Sequence, residues 1–163
     1  MSKEADFKDS KLDDYDEKDA KGSSSWLVGE DMVVVNRIEV GPSACPVTDG
    51  LELEVDFDID REAQEAQWEI KLIVDSSHTR HIIILGSTEP DDYAEGPNNF
   101  YFSVPSVNIS GVKPGALTSA GLLVASLKGT VGGDKVHIVD IKMVVQVEEE
   151  DGQFIRNIFN PLE

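Results

Sequence analysis

LELEVDFDIDREAQEAQWEIKLIVD, residues Leu51 to Asp75, decides how the rest of the chain is read. Leu51, Leu53, Val55, Phe57 and Ile59 alternate with Glu52, Glu54, Asp56, Asp58 and Asp60, the period of a strand with one buried and one wet face. The wet face is a row of carboxylates. After the polar stretch REAQEAQ a second alternating run sets Trp68, Ile70, Leu72 and Val74 on one side and Glu69, Lys71 and Asp75 on the other. Two consecutive strands, one turn and a shared apolar face predict an antiparallel pair that other strands must cover.

Working outward, Met32 to Val40 is a valine-rich strand, ended by Gly41-Pro42, Pro46 and an Asp49-Gly50 turn. The ten-residue connection that follows suits a crossing between sheets or a loop over one edge. Arg80 to Leu85 ends in the continuous apolar run Ile82 to Leu85, Gly86 to Asn99 is loop by composition, and Asn99 to Val104 is a strand rich in aromatics. Pro105 interrupts it. A short extended piece, Val107 to Val112, and a weak helical turn, Ala116 to Ala120, follow. Leu122 to Lys128 and Lys135 to Val147 then form a second hairpin through the glycine-rich turn GTVGGD. The chain closes on an acidic turn, Glu148 to Asp151, and an apolar tail with Phe154, Ile155, Ile158 and Phe159.

Short strands at roughly ten-residue spacing with almost no helix predict an all-β fold, an antiparallel immunoglobulin-like β-sandwich of seven to eight strands. It occupies residues 27–163. Residues 1–26 hold eight acidic and five basic side chains and few large apolar ones, and such a segment buries too little surface to offset the entropy of ordering it. A disordered acidic N-terminal tail is expected there.

With 32 acidic against 14 basic residues in 163, the formal charge is −18. Such a field repels phosphate backbones and anionic lipid and attracts basic proteins, so direct nucleic-acid binding and membrane insertion are not expected. The single cysteine, Cys45, leaves no intramolecular disulfide and fits a reducing compartment, nuclear or cytoplasmic.

Catalytic signatures are missing. His78 and His81 stand three apart at a loop and strand boundary, a spacing that shares a face only on a helix, and with Asp75 they make a poor metal set. The carboxylate row on an open sheet face is solvated and ionised throughout, whereas acid–base pairs need a cleft and one raised pKa. The glycines of residues 129–133 precede a strand, not the helix N-terminus that a phosphate cradle wants. No enzyme, no cofactor and no metal are expected.

The run MVVVNRIEVGPSACP, then LELEVDFDIDREAQEA, then QWEIKLIVDSS resembles the histone chaperones of the anti-silencing-function family in order and spacing. GLLVASLKG and KVHIVDIKMVVQV resemble that family's glycine-led strand and long last strand. The resemblance implies an immunoglobulin-like sandwich that holds core histones on the face of its last strands and peptide motifs of assembly factors beside its acidic turn. It places Leu122 and Val124 on the histone-facing surface and Asp60 and Glu62 at the peptide groove. The expected function is therefore non-enzymatic protein binding, with core histones or another basic protein as partner. A second class of sandwich, the dissociation inhibitors that shield the lipid tails of small GTPases, also follows an acidic N-terminus with such a domain. It implies a prenylated partner, with NFYFSV and Leu122 to Val124 lining the pocket. A structural adaptor in a larger assembly is the third reading.

Overall fold

The computed structural model describes residues 32–75, 80–118 and 121–162. The expected tail over residues 1–26 lies outside them. Among the described residues, ten strands and one helical turn follow in order: β1 (Val33–Gly41), β2 (Cys45–Pro46), β3 (Asp49–Ile59), β4 (Ala63–Asp75), β5 (Arg80–Ser87), β6 (Asp91–Tyr93), β7 (Gly96–Ser106), α1 (Pro114–Leu117), β8 (Gly121–Val131), β9 (Asp134–Glu150) and β10 (Gln153–Ile158). They form two antiparallel sheets packed face to face. The smaller runs β1-β3-β7, and the larger β2-β10-β9-β8-β4-β5, with β6 also paired to β4.

The alternating run at residues 51–59 is the centre of the smaller sheet, and its five apolar side chains are all buried. Its expected pairing with the next strand is corrected. β4 lies in the larger sheet between β8 and β5, so the two apolar faces meet across the core, not side by side. Alternation fixes which face is buried but not which strand lies alongside. Here the turn Asp60-Arg61-Glu62 carries the chain from one sheet to the other, held by Asp60 N–H donating to Met32 O at 2.9 Å. Most of the stretch read as a polar connection is strand. Ala63 and Ala66 are wholly buried, and an irregularity between Gln64 and Gln67, with Glu65 at φ 48°, resets the alternation before Trp68.

The long connection after β1 does cross between sheets: Cys45 and Pro46 pair with Arg156 and Ile155 of β10 before the chain returns to the smaller sheet. Asp49 and Gly50 already belong to β3. The C-terminal segment is likewise not a tail but strand β10, paired to β9 from Val145↔Ile158 to Glu150↔Gln153. Its hairpin turns on Asp151 and Gly152, both left-handed at φ 51° and 82°. Gly132 and Gly133 do the same between β8 and β9 at 59° and 88°, the backbone that a two-residue hairpin loop requires.

Where the sheets face each other the core is one continuous apolar cluster, closed at one side by Ala116 and Leu117 of α1. At its centre Trp68 of β4 stacks on Phe100 of β7, with centroids 4.1 Å apart, and meets the edge of Phe57 of β3 at 5.5 Å. One side chain thus ties all three strands together.

Candidate functional site

The outer face of the larger sheet is built from the side chains that alternation turns away from the core. Register sets Ile82, Ile73, Leu122 and Val144 in one row across β5, β4, β8 and β9, and Ile84, Lys71, Val124 and Lys142 in the next. Ile82 is 54% exposed, Ile84 56% and Val144 51%. Leu122 is partly exposed, and Val124 is buried yet stands outside the cluster between the sheets. Phe159, half exposed, follows β10 and donates its N–H to Val144 O at 2.8 Å. An apolar stripe flanked by two lysines therefore crosses four strands.

Of the residues singled out from sequence, Leu122 and Val124 lie in this stripe. Asp60 and Glu62 do not: both are exposed in the turn between β3 and β4, and Arg61 Nε sits 2.7 Å from Asp60 Oδ1, lowering that carboxyl. Leu122 pairs with Ile73, ten residues into β4, on the order of 30 Å along the strand from the turn. The structure does not bring the two pairs together. Ile73, Val144, Ile82 and Ile84 were not singled out from sequence; the last two belong to an unbroken apolar run that reads as a strand covered on both sides, whereas the outer face of β5 is open.

The carboxylate row forms the outer face of the smaller sheet, where much of its charge is already engaged. Arg37 of β1 reaches Glu39 at 2.6 Å, Asp56 at 2.7 Å and Glu54 at 3.4 Å. Asn99 Nδ2 donates to Asp56 at 2.6 Å and Glu54 at 3.1 Å, and Asn36 Nδ2 to Asp58 at 2.9 Å. The Arg37 hydrogen bond, then that of Asn99, lowers the Asp56 carboxyl. Opposite-charge and amide pairs across neighbouring strands stabilise the sheet, and the face as a whole remains acidic.

A third cluster lies beside the stripe. In the row after Lys71 and Val124 stand Glu69, Ser126 and Asp140. Ser126 Oγ donates to Asp140 Oδ1 at 2.6 Å, and His137 Nε2 lies 2.8 Å from the same oxygen, at an irregularity of β9 between His137 and Val139. Asp140 stands between the serine and the imidazole, so the ring is not set to take the Ser126 proton as a nucleophilic triad requires. An open groove of about 570 Å³ runs past His137, Lys128, Glu69 and Gln67. Among the described residues no group of three His, Cys, Asp or Glu side chains converges as a metal site; His78 lies outside them.

Burial pushes the Asp140 carboxyl up, but the His137 ring, the Ser126 hydroxyl and the Lys71 charge outweigh it and hold it at about 2. A folded-state value below the unfolded 3.8 stabilises the fold above pH 3.8, and that contribution is lost as pH falls toward 2. Stability is expected to drop by about 1–2 kcal/mol across this window on account of Asp140 alone. Comparing acid unfolding of the chain with that of Asp140→Asn checks it: the variant lacks this part of the pH dependence.

The interior offers a different kind of space. Phe100 and Phe102 of the aromatic strand are buried in the core, with Tyr101 exposed on the acidic face. The cavity between Leu51, Leu72, Leu123 and Val145 measures about 10 Å³, so a lipid tail would enter only if the sheets parted. No helix among the described residues is long and apolar enough to cross a membrane. No family model matches the chain, and no curated protein matches it in sequence.

Proposed function

We propose that this sandwich is a non-enzymatic protein-binding module that docks its partner on the stripe of Ile73, Leu122 and Val144, in the manner of a divergent histone chaperone. The exposed apolar row across β5, β4, β8 and β9 carries this reading. Contiguous apolar surface of this kind, rimmed by polar groups, marks interaction sites. The −18 charge supplies long-range attraction for a basic partner such as core histones, and apolar contact supplies the lifetime of the complex.

Titration with core histones at rising salt tests it. Binding is expected at low ionic strength and weakens as salt screens the field. Val144→Asp, at a half-exposed position, is expected to weaken binding by at least about tenfold, as loss of a central apolar contact does, with its circular dichroism retained. No binding at low ionic strength would end the histone reading. Equal binding by the variant would move the docking surface away from the stripe.

A further inference from the structure

We infer that the groove beside His137 is a carboxylate-binding site whose occupant is the acidic segment Asp13 to Glu17 of the same chain. The groove lies where the larger sheet is irregular. Register slips on β4 between Gln64 and Gln67, on β9 between His137 and Val139, and in the β4–β5 ladder between Ile70 and Lys71. Gly129 lines it without a side chain, and a Cβ there would lie 3.0 Å from Ala66. Irregularities of this kind re-aim side chains and gather beside functional sites.

Here they gather cations. Lys128 opposes His137, and Lys135 opposes Thr130 next along the same face, so the two lysines are diagonal neighbours about 7–8 Å apart. Both are exposed. Among the described residues neither has a carboxylate within ion-pair distance, although Glu65 and Glu69 line the same groove and the chain holds 32 acidic residues. Asp140, beside His137, is engaged by the ring and by Ser126. A carboxylate bridging Lys128 and Lys135 would relieve their mutual repulsion.

Place and charge select the occupant. Residues 13–17, DDYDE, set four carboxylates in five residues and lie outside the described chain. That chain begins at Met32, whose carbonyl accepts from Asp60 N–H, and four residues past Asp60 Gln64 pairs with Thr130 of the groove. Met32 is therefore within about 30 Å of the groove, while the fifteen residues from Glu17 to Met32 reach about 50 Å when extended. A free polyanion is repelled by a chain of charge −18. A tethered one meets the groove at an effective concentration on the order of millimolar.

Carbodiimide coupling of the full chain, which joins a carboxylate to a lysine it touches, tests this when the linked peptides are mapped by mass. Links from residues 13–17 to Lys128 or Lys135 are expected at least about tenfold more often than to Lys113, an exposed lysine outside the groove. High salt should reduce them. In a mixture of nitrogen-15-labelled and unlabelled chains, both halves of each linked pair should carry the same label, as a contact within one chain requires. The variant Asp13→Asn, Asp14→Asn, Asp16→Asn, Glu17→Gln changes nothing in the sandwich, and it is expected to shift the amide resonances of Lys128 and Lys135 while leaving those of Lys113 in place. Neither measurement involves a partner on the stripe, so this proposal and the docking reading fail separately. Links spread evenly over the three lysines, links of mixed label only, or unmoved Lys128 and Lys135 resonances would overturn it.

Discussion

Replacing Arg156 by Ala is expected to destabilise the protein by about 3–5 kcal/mol, the loss seen when a buried charged group that satisfies several partners is removed. Arg156 sits in β10 and is only 2% exposed, yet its partners are all backbone carbonyls. Nε donates to Pro42 O at 3.2 Å, one terminal nitrogen to Val47 O at 3.2 Å and Asp49 O at 2.8 Å, and the other to Gly50 O at 2.6 Å. One guanidinium thus fastens the segment that leaves β1, pairs with β10 through Cys45 and Pro46, and enters β3. Removing it orphans four carbonyls at once and leaves the segment held to β10 by the short ladder of β2 and the flanking bonds from Ala44 N–H to Arg156 O and Val47 N–H to Phe154 O. Gly50 leaves no room to relax. A Cβ there would lie 2.7 Å from Val104 O and 2.8 Å from Pro105 O, so the backbone is hemmed in where the shortest of the four bonds ends. Arg156→Lys carries three donors on a flexible stem in place of a planar fork, and an intermediate loss is expected. Urea unfolding midpoints of the two variants and of Arg156→Met, which keeps the packed stem, measure the hydrogen-bonded part directly. A loss under about 1 kcal/mol for Arg156→Met would mean that water takes over the carbonyls.

Arg156 also shows where sequence stops informing. In QFIRNI the arginine shares its period-two face with Phe154 and Ile158, and nothing in its own chemistry says what would satisfy a cation there. What buries it is a set of carbonyls more than a hundred residues away, and a carbonyl leaves no trace in side-chain chemistry. The two-sheet sandwich was legible because Leu51 to Ile59, Trp68 to Val74 and the residues of β8 and β9 repeat with period two, and a wrong register would expose every apolar side chain at once. Partnership between strands was not. Leu51 to Ile59 and Trp68 to Val74 share one apolar interior as opposite walls, and a hairpin would have produced the same alternation. The docking stripe was half legible. Leu122 and Val124 were singled out through the resemblance and lie on the outer face of the larger sheet, whereas the exposure of Ile82 and Ile84 depends on that face of β5 having no layer over it, a property of the packed fold alone.

The other large loss is expected at Trp68, at about 3–5 kcal/mol for Trp68→Ala, the range for emptying a packed aromatic site. The indole has no exposed surface, and its stack on Phe100, tilted by 21°, spans the gap between the sheets. Phe57 then links the pair to Tyr93 of β6, edge-on at 5.3 Å, so the cluster binds both strands that flank the crossing turn. Its N–H contributes little. Trp68 Nε1 is buried with no hydrogen-bond partner; the Tyr93 phenol, which burial pushes up against the opposing effect of the indole, approaches it without the geometry of a bond. Trp68→Phe therefore loses area and stacking but relieves an unsatisfied donor, and it is expected to cost well under half of the alanine change. Phe100→Ala should cost a similar amount to Trp68→Ala, and the double variant less than the sum, because each single change already breaks the stack. Additive losses would place the stability in separate contacts of each ring with its own sheet. Subadditive ones would assign it to the contact across the interface, which is what makes residues 51 to 75 one structural unit although their two strands lie in different sheets.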